Sequence, residues 1–226
     1  MGIWEMNTWE LIKAGGPMMA PIGLCSLFAL TIVIEKLIHF YLIRTDISKL
    51  KATLFDHIKH NRIKEAIDDC DFNPSPIAKA FKAGIAKFGC SREEIKEAIE
   101  DVSLFEIPKL EKHLNALGTI ANITPLLGLL GTVAGIAESF HTIQVRATSL
   151  NPVTPGDLAG GIWQAVITTV AGLMIAIPAF VAYNYLVSRV NNIILDMERC
   201  STELVYFLGQ VIDDHPSKKG DYRVEI

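Results

Sequence analysis

Four side chains, Thr132, Gln164, Thr168 and Thr169, place hydrogen-bonding atoms inside stretches that carry no charge. From Leu158 to Ser188 there is no Asp, Glu, Lys, Arg or His. Within that run Ala165, Thr168, Thr169, Gly172, Ala176 and Ala179 recur at helical spacing and form one small, weakly polar stripe. Lipid does not require such a stripe, whereas close helix packing or a pore does. A second charge-free run, Leu114 to Ala137, has Gly128, Gly131 and Gly135 on one face, flanked by Thr124 and Thr132. Two readings stand for these residues. In the first they pack helices tightly, with Thr hydroxyls bonded back to their own helix carbonyls. In the second they line a lumen shared by the two runs. Gly128, Gly131, Gly135, Gly172 and Ala176 are assigned to close packing, and Thr132, Thr168, Thr169 and Gln164 to the lumen, with Glu138 placed to guard an external mouth.

Hydroxyls and amides exchange hydrogen bonds but do not titrate at working pH. Ionisable groups inside a membrane mark ion pathways, because a charge at mid-bilayer costs at least about 2.5–3.5 kcal/mol. Neither run holds such a group near its centre. Glu35, Lys36 and His39 stand at the end of a further apolar stretch, and Glu35 and Lys36 are expected to snorkel to water. If protons or cations cross here, another polypeptide must supply the titrating carboxylate. The expectation is a scaffold around a partner helix that bears an Asp.

Positioning these residues takes membrane helices. Pro17 to Ile34 is the third charge-free run. A hydrocarbon core needs about 20 apolar residues per helical span. The chain therefore reads as an all-α membrane protein, with three transmembrane helices and long cytoplasmic helical extensions. Of 21 Lys and Arg residues, only Lys13 and Arg146 lie outside the segments Lys36–Lys112 and Arg189–Arg223. The positive-inside rule then puts the N-terminus outside and the C-terminus inside. The expected order is an external segment 1–16, a span 17–43, a cytoplasmic helical domain 44–113, a span 114–140, an external loop 141–157, a span 158–188, a cytoplasmic helix 189–212 and a loose tail 213–226. Trp4 and Trp9 read as interfacial anchors, and the first run is not expected to be a cleaved signal. The net charge of −4 says little about partners, because topology partitions it.

Arg44 to Lys87 reads as amphipathic helices joined by a turn at Asn73-Pro74-Ser75-Pro76. Ser91-Arg92-Glu93-Glu94 is a capping box that opens a helix. No stop signal follows, so one helix is expected from Ser91 to Phe140, with kinks at Pro108 and Pro125. Val190, Ile193, Met197, Cys200, Leu204, Phe207 and Val211 extend the third span at 3–4 spacing. That face fits either a coiled-coil seam or an amphipathic helix laid on its own domain.

The four cysteines have no CxxC spacing and the six histidines are scattered, so free thiols, no metal site and no cofactor are expected. No nucleophile–base set or phosphate loop suggests an enzyme; Asp68, Asp69 and Asp71 read as a solvated helix end. No basic patch with aromatic interleaving suggests a nucleic acid partner. A passive channel or transporter subunit without a motor role is the alternative, although internal repeats, broken helices and intramembrane charges are not evident.

Gly128–Phe140 (GLLGTVAGIAESF) and Gly161–Asn184 (GIWQAVITTVAGLMIAIPAFVAYN) resemble the two hallmark segments of the MotA/TolQ/ExbB proton-channel family. The resemblance covers about residues 10–212 and is nearest to the ExbB/TolQ branch. It implies an ion-motive-force-driven motor subunit of the bacterial inner membrane. Such subunits form a pentamer around an ExbD/TolR-like single-span partner, whose Asp carries the ion. Work then passes across the periplasm to a TonB- or TolA-like transducer. Thr132 and Thr169 fall on the family threonines thought to face that Asp, and Gln164 stands where ExbB and TolQ proteins commonly have Glu.

Overall fold

The computed structural model describes residues 10, 13–43, 46–147 and 154–214. Trp4, Trp9, Arg44, Pro152 and the tail beyond Asp214 lie outside the described residues. The described residues form helices without a strand among them. Three helices are long and apolar enough to cross a membrane.

The elements are α1 (Met19–Leu42), α2 (Ile47–Lys59), α3 (Ile63–Asp71), α4 (Pro76–Ala86), α5 (Arg92–Glu111), α6 (Leu114–Ala147) and α7 (Pro155–Asp214). A short 3-10 turn, Gly16–Met18, leads into α1. Two compact units result. One takes the residues up to Glu35 with His113–Leu186, and the other takes Lys36–Lys112 with the chain from Val187 onward.

In the first unit α1 is the barest helix, with Leu24, Leu27, Phe28 and Leu30 exposed and Ile22 and Ala29 buried. Such a surface is stable only against lipid or another protein. Its Thr31 hydroxyl donates to the Leu27 carbonyl at 2.8 Å, which satisfies that group without help from water.

The second unit has its own core. Leu54 and Ile58 of α2, Ala66 and Cys70 of α3, Phe81 and Ile85 of α4, and Ile95 and Ile99 of α5 close on Met197, Cys200, Leu204 and Leu208 of α7. The 3–4 face of α7 therefore lies on its own domain. Leu208 is fully buried and Phe207 only partly so, as a 3.6-residue period demands. Phe207 stacks on Phe55, with ring centroids 4.2 Å apart.

Side-chain caps fix the short helices. Asp46 accepts from the Lys49 amide, Ser75 from Ala78 and Ser91 from Glu94. The Asp46 carboxyl sits below its usual range, held chiefly by that amide hydrogen bond. The turn at the prolines is present between α3 and α4, since Asn73 Oδ1 accepts from the Ser75 amide and Pro76 opens α4. A further break at His60–Arg62, where Asn61 has a φ of 58°, divides α2 from α3. Arg62 steadies it by pairing with Asp56 and with Glu65.

One expectation is corrected. The helix that starts at Ser91 does not run to Phe140: α5 ends at Glu111, Lys112 is extended (ψ 134°) and His113 is left-handed (φ 67°). A left-handed residue other than glycine costs roughly 1–2 kcal/mol. The Lys36 ammonium offsets this by donating to the carbonyls of Leu110 (2.9 Å) and Lys109 (3.4 Å), the open end of α5. A hydrogen bond to a charged group contributes about 1.5–3 kcal/mol, and a cation favours a helix C-terminus. Lys36 is thus 2% exposed and does not snorkel to water. Pro108 and Pro125 both stay inside their helices, α5 and α6.

Candidate functional site

The site lies in the first unit, along the seam between α6 and the first half of α7. Glycines set the separation. A Cβ at Gly128 would stand 3.1 Å from Thr169 Cα, and one at Gly135 would stand 2.7 Å from the Gly161 carbonyl oxygen. A Cβ at Gly172 would stand 2.9 Å from the Thr124 carbonyl oxygen. The two backbones touch here, which only small residues allow. Ala165, Ala176 and Ala179 of α7 are buried.

Hydroxyls fill the remaining space. Thr169 Oγ1 donates to the Gly128 carbonyl oxygen at 3.0 Å, a bond between helices. Thr168 is fully buried and covers Gly131, where a Cβ would stand 2.6 Å from Thr168 Cβ. Its hydroxyl donates to its own helix, to Ala165 at 2.8 Å and Gln164 at 3.2 Å. Thr124 is equally buried and donates to Ile120 at 2.6 Å. Thr132 is half-buried, and its hydroxyl donates to Leu129 at 2.6 Å.

The lumen candidates therefore separate within the chain. Thr168 and Thr169 meet α6 at Gly131 and Gly128. Thr132 donates within α6, to Leu129. Gln164 lies over Gly16, which has a φ of 66° and whose Cβ would meet the carboxamide carbon at 2.9 Å. Glu138 is exposed, and its backbone carbonyl takes the Thr142 hydroxyl.

Each threonine hydroxyl has one proton and two lone pairs. The protons of Thr132, Thr168 and Thr169 go to backbone carbonyls, so the oxygens are left as acceptors. Each such oxygen can accept a hydrogen bond but gives up no proton at working pH.

Two residues add to the set read from sequence. Ser139 is buried and donates to Gly135 at 3.2 Å and Leu158 at 3.4 Å, so it ties α6 to the start of α7. Its place four residues beyond Gly135 continues the small-residue stripe and was the available signal. The second is His113, whose Nδ1 lies 3.0 Å from the Glu35 carboxylate. Among the described residues no cluster of His, Cys, Asp and Glu could hold a metal ion.

Backbone-to-backbone contact, buried hydroxyls and three apolar spans define a polytopic helical membrane protein with an acid-free inner seam. Comparison with known proteins gives the family. The chain belongs to the MotA/TolQ/ExbB proton channel family, whose model matches residues 73–199, more than half of it. It is 27% identical to a biopolymer transport protein ExbB homolog of Methanothermobacter thermautotrophicus over 81% of this chain and 64% of that one. The ExbB of Aquifex aeolicus is 33% identical over 53% of this chain and 77% of its own. The TolQ of Haemophilus influenzae is 43% identical over 39% of this chain and 37% of its own. The family is one of transport proteins rather than a known enzyme family.

Proposed function

We propose that this chain is the multi-copy inner-membrane scaffold of an ion-motive-force-driven motor, of the ExbB/TolQ kind. Several copies, five by the resemblance, surround the transmembrane helices of an ExbD/TolR-like partner, and proton flow through the assembly drives work across the periplasm on a TonB- or TolA-like protein. The N-terminus is periplasmic and the C-terminus cytoplasmic. The observation that carries this reading is the absence of any Asp, Glu, Lys, Arg or His from Leu114 to Ala137 and from Leu158 to Ser188, in a chain of a proton channel family. A proton cannot be relayed by this wall alone, so the carboxylate comes from a partner.

Thr169 and Thr132 are the hydroxyls assigned to that carboxylate, and Thr168 is assigned to helix packing. One charge crossing 100 mV releases about 2.3 kcal/mol. Small, acid-free surfaces with shallow hydrogen-bonding differences suit steps of that size. With Gln164 where relatives commonly have Glu, protonation rests on the partner.

The test is proton flux into proteoliposomes holding this chain alone, or this chain co-expressed with the single-span protein from its own genome that bears an intramembrane Asp. Flux is expected only with the partner. Thr169→Val and Thr132→Val are each expected to lower coupled flux at least tenfold with assembly retained. Specific flux from the chain alone would sink the reading.

A further inference from the structure

We propose that Lys36 is a positioning residue, which ends α5 and lets the second span begin afresh at His113. In a continued helix the carbonyls of Lys109 and Leu110 would accept the amides of His113 and Leu114, four residues on. Here the Lys36 ammonium takes both carbonyls, from a site that is 2% exposed. The apolar walls of that site include Phe40, whose ring centroid lies 6.0 Å from the ammonium, and Leu110. A lysine held this way is not a solvated surface charge.

The backbone on the far side of the clamp needs such a cause. Neither Gly nor Pro stands at 111–114, and the sequence there continues a helical pattern. Yet Lys112 is extended and His113 is left-handed, and a new helix starts with the Leu117 amide on the His113 carbonyl at 3.1 Å. The ammonium satisfies the two carbonyls that end α5 where water does not reach, and so stabilises the broken form over the continued helix. The first turn of α6 then starts from His113.

Amide hydrogen exchange on the full chain in lipid nanodiscs tests this residue by residue. Lys36→Met removes the donors and keeps the length. It is expected to slow exchange of the His113 and Leu114 amides at least tenfold, as α5 and α6 join. Adding His113→Gly restores the break, because glycine takes a positive φ without a Cβ penalty. Lys36→Met/His113→Gly is therefore expected to return those two amides to the wild-type rate. Unchanged exchange in Lys36→Met, or a double variant that exchanges as slowly as the single one, would overturn the proposal. If Lys36→Met does not accumulate in membranes, accumulation of the double variant supports the clamp and its continued absence refutes it. Loss of coupled flux in Lys36→Met and its return in the double variant rests on the motor reading above, whereas the exchange rates do not depend on it.

Discussion

At the scale of residues, the seam between α6 and α7 is set by hydrogen atoms where an alanine would carry a methyl group. The effect of adding a methyl differs from one glycine to the next. At Gly135 the new carbon meets the Gly161 backbone, and at Gly131 it meets the fully buried Thr168. At Gly23 and Gly160 it meets nothing within 4 Å. Overpacking costs about 1–3 kcal/mol when the neighbour cannot move. Gly135→Ala and Gly131→Ala should therefore lower the melting temperature of the detergent-solubilised protein by several degrees. Gly23→Ala and Gly160→Ala should hold it or raise it by a few degrees, because an alanine there meets no neighbour and gains about 1 kcal/mol of helix propensity. The shared helical face of Gly131 and Gly135 is legible in the sequence, whereas what each added methyl would meet is not. In the sequence, Gly23 and Gly131 are both glycines in apolar runs. Likewise Thr168 and Thr169 are adjacent hydroxyls, and only the helix contact separates the one that fills a gap from the one that reaches the Gly128 carbonyl.

At the scale of elements, what could be read beforehand follows how local the cause is. The Ser91 cap, the break at Pro74–Pro76 and the three spans arise from residues within a turn or from composition, and the fold contains them. The α5–α6 break escaped because its determinant, Lys36, lies more than seventy residues upstream. The α2–α3 turn escaped because Asn61 takes a left-handed conformation with no Gly or Pro to mark it. Glu106 shows the same non-locality in α5. Burial alone would raise its carboxyl, but hydrogen bonds from Lys109 (2.6 Å) and Lys79 (2.8 Å) prevail and hold it below the ordinary 4.5. A depressed carboxyl adds stability that is complete above 4.5 and is lost as pH falls through the folded value. Below pH 4.5 the wild type should therefore lose urea resistance faster than Glu106→Gln, and above it the wild type should be the more resistant of the two. Parallel curves across that window would show that the two lysines do not act on Glu106.

At the scale of the whole molecule, each unit has its own interior, and cysteine chemistry reports on one of them. Burial, with the charges of Asp69 and Asp71, pushes the Cys70 thiol up to about 12. Cys200 is raised too, by burial and by Glu203. Both thiols belong to the core of the second unit, whereas Cys90 is only half-buried. Only the thiolate reacts with maleimides. At pH 7.5 N-ethylmaleimide should modify Cys90 within minutes and leave Cys70 and Cys200 intact until urea opens the unit. Early modification of Cys70 would mean that this core opens readily in the native protein.

The bareness of α1 gives it a different dependence on its surroundings. Few of its apolar side chains touch the rest of the chain, so its depth and lean are set by what surrounds it. A helix of this kind answers to the thickness of the bilayer, tilting in a thin one and thinning a thick one around itself, at a fraction of a kcal/mol for each ångström of mismatch. Lys36 is part of the same helix and closes the end of α5. The clamp proposed for Lys36 therefore hangs from the one span whose lean the host lipid sets most freely.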